Sequence, residues 1–243
     1  MTAHSAAGEH RSRYFTAMGG VALLAVIGGF GRTYAVPMAR GTFAAPWVVH
    51  LHGALAVSWV ALFVAQPLLV RWGALRVHRK IGRAGLPLAL GVAVTMIPAG
   101  VFQATRDAAA GAGDTGISTL LGVFTSGVLF VSLVTAGIVT RRNREAHSRW
   151  MLLATLVVIW PAWFRFRHWF PAVPRPDVWF GVVLSYIWIV LAMLRDRITR
   201  GAVHAVLAYG GTAVIIEQSL EVLAFDRPWW RAVAKSMYGL LHA

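Results

Sequence analysis

Seven long apolar segments follow one another along the chain, separated by short segments rich in polar and basic residues. Each holds between about 17 and 25 mostly apolar residues, close to the number that a helix needs to cross the hydrocarbon core of a bilayer. The pattern therefore predicts an all-α integral membrane helical bundle with about seven transmembrane helices. The predicted spans are roughly 14–31, 46–70, 84–103, 117–140, 150–166, 178–194 and 202–225.

The composition favours the same interpretation. Hydrophobic residues make up 58% of the 243 positions and charged residues 13%, whereas charged residues are about a quarter of an ordinary soluble domain. The absence of cysteine excludes disulfides, thiolate metal sites and cysteine nucleophiles. No linker or polar block interrupts the apolar segments, so residues 1–243 are predicted to form a single transmembrane domain with the lipid bilayer as its main partner.

The net charge of +14 bears on orientation more than on binding. In a soluble protein it would suggest nucleic acid, but here the basic residues lie in short segments between spans, so no nucleic-acid partner is predicted. One side of the predicted membrane carries 14 basic residues: Arg11, Arg13, Arg71, Arg76, Arg79, Lys80, Arg83, Arg141, Arg142, Arg144, Arg149, Arg195, Arg197 and Arg200. The other side carries 9. The positive-inside rule places the N-terminus inside and the C-terminus outside.

Polar residues within the second span form one face. His52, Trp59 and Gln66 are spaced by seven residues, and seven residues of an α-helix drift by only about 20°. His50 points nearly the opposite way and suits the membrane interface. His52 and Gln66 could make hydrogen bonds between helices or take a functional role, and the sequence leaves both interpretations open.

Two histidines precede spans at the predicted inner side, His78 before the third and His147 before the fifth. Two imidazoles at one depth could ligate a b-type haem, whose propionates the neighbouring basic residues would bind. Solvated loop histidines would give the same pattern. His52 and His168 could form a second pair near the outer side, and His204 is a further inner candidate.

The last span carries two acidic residues, Glu217 and Glu221, four positions apart and therefore on one helical face. A carboxylate at membrane depth needs a partner or a proton. Three alternatives remain open: an ion pair with Arg106 or an outer histidine, a proton relay, and a metal site formed with His52. The chain shows no phosphate-binding glycine loop, no His-Glu-x-x-His zinc helix and no Gly-x-Ser-x-Gly elbow, so the question of enzyme activity stays open.

Several of these residues together form a motif. It comprises His52, Trp59, Gln66, His78-Arg79, Gly82-Arg83, Arg141-Arg142, His147, Arg149-Trp150-Met151 and Arg165. On these residues the second to fifth spans resemble a family of bacterial polytopic membrane proteins known as a domain of unknown function. The resemblance implies a multi-pass protein of the bacterial inner (cytoplasmic) membrane, and it emphasises His52, Gln66, His78, His147 and Arg149.

Three functions fit the sequence. The leading hypothesis is a haem- or metal-binding redox protein that uses His78 and His147 on one side and His52 and His168 on the other, with a redox partner in the membrane. A transporter or channel for a small ion or solute would instead use His52, Gln66, Glu217 and Glu221, converging on one cavity. The third is a structural subunit of a membrane complex.

Overall fold

A computed structural model describes the backbone of residues 3–242 and the side chains of residues 13–241. The predicted all-α class is confirmed: this part of the chain is helical and contains no strand. Arg11, which entered the prediction of orientation, lies outside the described side chains. The main helices are α1 (Ala3–Phe30), α2 (Trp47–Arg71), α3 (Leu75–Gly82), α4 (Gly85–Asp107), α5 (Gly113–Val139), α6 (Arg144–Val158), α7 (Leu184–Arg200), α8 (Thr212–Ala224) and α9 (Pro228–His242).

Five segments of the described chain are long and apolar enough to span a membrane: Arg13–Ala39, Trp47–Arg71, Leu75–Val139, Pro176–Arg200 and Val206–Ala224. The third is 65 residues long and holds the short helix α3 and two long helices, α4 and α5, that pack side by side. The reversal between them is made by Gly111 (φ 100°) and Gly113 (φ 52°). These positive φ angles are accessible to glycine without steric cost, so the turn between α4 and α5 is short.

The helices alternate in direction, and contacts between them define two ends of the bundle. At one end His78 of α3 interacts with His147 of α6, and Arg149 of α6 binds Asp196 of α7. We call this the His147 end. At the opposite end the backbone carbonyl of Gly28 accepts a hydrogen bond from the Trp169 indole, 2.8 Å away, beside Arg165; we call it the Arg165 end.

The predicted fifth span differs most from the structure. Helix α6 ends at Val158, the chain turns at Ile159, and a short helix follows over Trp160–Phe164. Pro161 stands at the start of that short helix, where its missing N–H costs nothing. Helix α6 therefore has 15 residues and is too short to span a membrane by itself.

Glycine pairs allow close helix packing, as the sequence predicted. A side chain at Gly29 would collide with the backbone of Ala162, and one at Gly211 would lie 2.8 Å from Ile189 Cγ2. Small residues at such crossings let helix backbones approach closely in a membrane bundle. The core that results is apolar and centres on α6, whose residues Leu152–Val157 are all buried.

Candidate functional site

Two carboxyl groups inside the bundle form the most unusual polar cluster of the structure. Glu217 and Glu221 lie on successive turns of α8, and both are half-buried. A hydrogen bond and electrostatic repulsion link the two carboxyl groups to each other. The predicted shared face is therefore present, and it turns toward α5 and α7 rather than toward lipid.

Neutral polar groups surround this pair. The side-chain nitrogen of Gln218 donates to Glu217 Oε2 (2.7 Å) and to Glu221 Oε2 (3.2 Å). The Gln218 oxygen accepts from the hydroxyl of Tyr186 on α7 at 2.6 Å, and both of these residues are 2% exposed. Thr125 of α5 donates its hydroxyl to Glu221 Oε1. Three helices thus contribute to one hydrogen-bonded network.

No basic side chain neutralises the pair. Among the ion pairs found within residues 13–241, none involves Glu217 or Glu221. Arg106, which the sequence offered as a partner, donates instead to Gln103 Oε1 at 3.0 Å. An ionised carboxylate at such a position would be expensive to desolvate, so a proton is the partner that the chemistry requires.

A cavity of about 280 Å³ opens near this network toward the Arg165 end. Asp107, Thr115, Thr119 and Phe225 contribute to its lining. Helix α9 lies next to it: the Trp230 indole donates to the Ser118 carbonyl at 2.8 Å, and a side chain at Gly122 would lie 3.8 Å from Glu221 and 3.9 Å from Trp230. Polar groups therefore continue from Glu221 along α5 to this cavity.

The predicted metal site would require His52 beside both carboxylates. The structure brings Glu217 and Glu221 together, but His52 Nδ1 lies 3.1 Å from Thr95 Oγ1 of α4. Within the described part of the chain, no group of three or more metal-ligating side chains is placed to hold an ion. The predicted metal site therefore receives no support.

The four residues of the predicted transport path belong to separate contact networks. His52 and Gln66 are 14 residues apart on α2, which corresponds to about 21 Å at 1.5 Å per residue. The Gln66 amide reaches α3, where its oxygen accepts from the Gly82 N–H at 3.2 Å and its nitrogen faces Nδ1 of His78. Of the four, Glu217 and Glu221 are joined by direct contacts.

His78 and His147 lie close enough to interact electrostatically, as the haem hypothesis requires. His147 Nδ1 donates to the Gly137 carbonyl at 2.7 Å, the arrangement typical of a ligating imidazole because it leaves the Nε2 lone pair available. Nδ1 of His78 likewise lies 3.4 Å from a backbone carbonyl oxygen, that of Gln66, but the Gln66 side-chain amide faces the same nitrogen. His147 fits a haem axial ligand, the two contacts of His78 Nδ1 assign its proton to opposite ring nitrogens, and haem binding stays a prediction.

At the outer pair of the hypothesis, His52 and His168 each interact electrostatically with Arg165. His168 is exposed, and its backbone carbonyl accepts a hydrogen bond from Arg32 at 2.5 Å. No direct contact joins the two imidazoles among the described hydrogen bonds. His204 lies at the His147 end, where its backbone N–H is 3.3 Å from Asp196 Oδ2.

Asp196 is the polar residue that sequence reasoning missed. It binds Arg149 through two hydrogen bonds, Nε to Oδ2 at 2.7 Å and Nη2 to Oδ1 at 2.6 Å, and both residues are 1% exposed. The Arg149 Nη1 also donates to Glu145 Oε2, at 2.5 Å. Arg149 and Asp196 are 47 residues apart, so no local pattern could have paired them.

Comparisons with known proteins leave the family open. Searches against family models, curated proteins and solved structures find no match to this chain. The resemblance to a bacterial membrane family of unknown function therefore stays a prediction, and the functional conclusion depends on the geometry of the site.

Proposed function

We propose that the protein transfers protons within the membrane and that the Glu217–Glu221 pair is its proton site. One observation carries the proposal: two carboxyl groups inside the bundle accept hydrogen bonds from the same Gln218 nitrogen, and neither has an ion-pair partner among the described residues. Like charges at such a distance cannot both be present in a medium of low dielectric constant. The pair therefore shares one proton and can accept or release it without building a large net charge.

The neutral groups around the pair suit this role. Gln218 donates to both carboxyl groups and receives a hydrogen bond from Tyr186, so it holds the two acids in fixed positions without competing for the proton. The Thr125 hydroxyl contacts Glu221 on the side of α5. A hydroxyl both accepts and donates hydrogen bonds, which makes Thr125 suited to pass a proton to or from Glu221.

An exit for the proton lies toward the Arg165 end. Ser118 stands seven residues before Thr125 on α5, about 10 Å along the helix, and donates to Asp226 Oδ1 at 2.6 Å. The cavity of about 280 Å³ lies beside it and has Asp107 in its wall. One ordered water bridges two polar groups that lie somewhat beyond hydrogen-bond distance, and a separation of about 10 Å needs several waters in a row. The proposed route therefore runs from Glu221 through Thr125 and a chain of waters to this cavity.

The proposal includes seven crossings with the N-terminus inside. The helices α4 and α5 count as two crossings, and α6 with its short continuation counts as another. The basic segments between the spans come together at the His147 end, where His78 interacts with His147 and Arg149 binds Asp196. The excess of basic residues there favours the cytoplasmic side of a bacterial inner membrane, and the cavity at the Arg165 end then opens outward.

Proton flux into liposomes tests this proposal. Purified protein is reconstituted with a pH-sensitive dye inside, and a potassium diffusion potential drives protons inward. We expect wild-type flux well above that of empty liposomes. Glu221→Gln, which keeps the shape of the side chain and one acceptor oxygen but cannot ionise, is expected to lower the flux at least tenfold, and Glu217→Gln is expected to act in the same direction.

Asp177→Asn is the matched control, because Asp177 is a carboxylate of an exposed turn that pairs with Arg175 at 2.8 Å. It should leave the flux unchanged. Elution as a single species from a sizing column and an unchanged helical circular dichroism spectrum would show that each variant is folded. Equal flux in wild type and in the folded Glu217→Gln/Glu221→Gln double variant would refute the proposal.

A further inference from the structure

A cluster of basic side chains occupies the Arg165 end, far along the chain from the acidic pair. It consists of Arg32, Arg165, Arg167 and His168, which we call the arginine cluster. Arg32 donates to the His168 carbonyl at 2.5 Å, and the Trp169 indole donates to the Gly28 carbonyl at 2.8 Å. These two bonds hold the turn over Arg165–His168 against the end of α1.

Arg165 is the central member and lacks an acidic partner. Its Nη1 donates to the Pro161 carbonyl at 2.9 Å, and its guanidinium carbon lies 4.3 Å from the centre of the Phe30 ring. No ion pair of Arg165 is found within residues 13–241, although the side chain is half-buried. The remaining N–H groups of its guanidinium are thus without a protein acceptor among the described hydrogen bonds.

The charges around Arg165 are mainly repulsive. It interacts electrostatically with Arg167 and Arg106, and the acid within range is Asp107. Asp107 is already engaged, because Gln103 donates to its Oδ1 at 2.6 Å and Arg106 lies 3.8 Å from the same atom. Asp107 therefore offsets little of the positive charge that Arg165 and Arg167 create.

His168, which lies outside the predicted spans, is subject to the same positive electrostatic potential. Burial lowers its pKa, and the positive charges of Arg167, Arg165 and Arg32 lower it further. Three guanidinium groups therefore act on one imidazole. A concentration of positive charge at a half-buried position is costly unless an anion neutralises it.

We propose that the arginine cluster binds a phosphate group, with Arg165 as its principal donor and Arg167 and Arg32 as supporting charges. Guanidinium groups bind phosphate oxygens through paired N–H donors, and several of them together suit a multiply charged oxyanion. Three aromatic residues follow the cluster in the sequence, Trp169, Phe170 and Trp179, and at least half of each side chain is exposed. Such residues are typical of the headgroup level of a bilayer, so the phosphate is either a lipid headgroup or a free anion from the aqueous phase.

Thermal unfolding of the delipidated protein in a neutral detergent tests the site in two arms. One arm adds inorganic phosphate, with chloride at equal ionic strength as the reference; the other adds a short-chain phosphatidylglycerol, with a neutral short-chain diacylglycerol as the reference. We expect at least one phosphate compound to raise the unfolding temperature of the wild type. A response to phosphatidylglycerol alone would identify a lipid headgroup, and a response to inorganic phosphate would identify a free anion.

Arg165→Gln is the test variant and Arg175→Gln its control. Both remove one positive charge from the same region, but Arg175 is paired with Asp177 and exposed. The apparent Kd should rise at least tenfold in Arg165→Gln and stay unchanged in Arg175→Gln. If Arg165→Gln does not fold, Arg165→Lys keeps the charge but not the paired donors and should still weaken binding. Equal responses of the Arg165 variant and the control in both arms would overturn the proposal, whatever the outcome for Glu217 and Glu221.

Discussion

At the scale of single residues, the ion pair of Arg149 and Asp196 shows what holds the His147 end together. Burying two charges is costly, and the cost is offset here because the carboxylate receives two short hydrogen bonds and the remaining guanidinium nitrogen binds Glu145. Arg200 shares the same Glu145 carboxylate at 2.7 Å. The network therefore joins α6 to the last two turns of α7.

Replacing Asp196 by Asn should destabilise the protein by about 3–5 kcal/mol, because it removes the buried carboxylate that binds Arg149 through two hydrogen bonds and leaves the half-buried Glu145 as its acidic partner. The free energy of unfolding can be measured in mixed micelles titrated with a denaturing detergent. Asp177→Asn, which breaks an exposed pair, should change it by less than about 1 kcal/mol. Similar losses of unfolding free energy in the two variants would show that the buried pair stabilises the protein no more than the exposed pair.

Residue spacing predicted one half of the candidate site. Four residues separate Glu217 from Glu221, so a shared helical face followed directly from the period of the helix. The groups that complete the site, Thr125 and Tyr186, come from α5 and α7. Contacts between distant helices leave no mark on the local pattern, and the sequence therefore could not select them from the other polar residues of the spans.

At the scale of elements, α9 is the helix that the sequence analysis missed. It has 15 residues, too few for a span, and Arg231 and Lys235 interrupt its apolar positions. The structure attaches it to α5 through the Trp230 indole and through Lys235, whose Nζ lies 3.0 Å from Asp114 Oδ2. Asp226, at φ 60°, makes the turn that leads into it, a conformation that aspartate tolerates better than most residues.

Asp226 should make the attachment of α9 sensitive to strong acid. The Arg231 guanidinium, assisted by the Ser118 and Thr115 hydroxyls, lowers the pKa of Asp226 from its ordinary value of 3.8 to about 2, although burial acts in the opposite direction. A lowered pKa means that the stabilisation is complete above about pH 4 and is lost as the pH falls through about 2.

Hydrogen exchange of the α9 amides measures this attachment. We expect protection over 228–242 to fall between about pH 4 and pH 2 in the wild type, after correction for the intrinsic exchange rate. In Asp226→Asn the α9 amides should exchange several-fold faster than in the wild type already at neutral pH. In Asp177→Asn their exchange rate should not change. Unchanged protection in Asp226→Asn would mean that α9 is held without this carboxylate.

At the scale of the whole molecule, the repeat of apolar segments predicted the helical bundle, and five candidate spans bear out that coarse prediction. The sequence could not predict which helix faces contact each other, for a specific reason. Wide π-helical turns occur over Gly31–Ala35, Trp179–Val183 and Val206–Gly211. Each of these turns adds residues to the regular helical repeat. A helical face predicted by counting about 100° per residue across such a turn is therefore assigned to the wrong side of the helix.

The proposed seven crossings can be tested with single cysteines, since the chain has none of its own. A maleimide that cannot cross membranes is applied to spheroplasts. Cysteines introduced as Asp177→Cys and Ser236→Cys should react, and Arg142→Cys should react after lysis alone. Labelling of Arg142→Cys in intact spheroplasts would show that the orientation is the reverse of the one proposed. Labelling of only one of Asp177→Cys and Ser236→Cys in intact spheroplasts would place them on different sides and contradict the number of crossings.

The protonation state of the Glu217–Glu221 pair is the most direct measurement of the central claim. Infrared spectra of the reconstituted protein, recorded as the pH is varied, resolve the C=O stretch of a protonated carboxyl group from that of a carboxylate. We predict a protonated-carboxyl band at neutral pH that is absent from the Glu217→Gln/Glu221→Gln variant and unchanged in Asp177→Asn. A wild-type spectrum without that band at neutral pH would show that both acids are ionised and would contradict a shared proton.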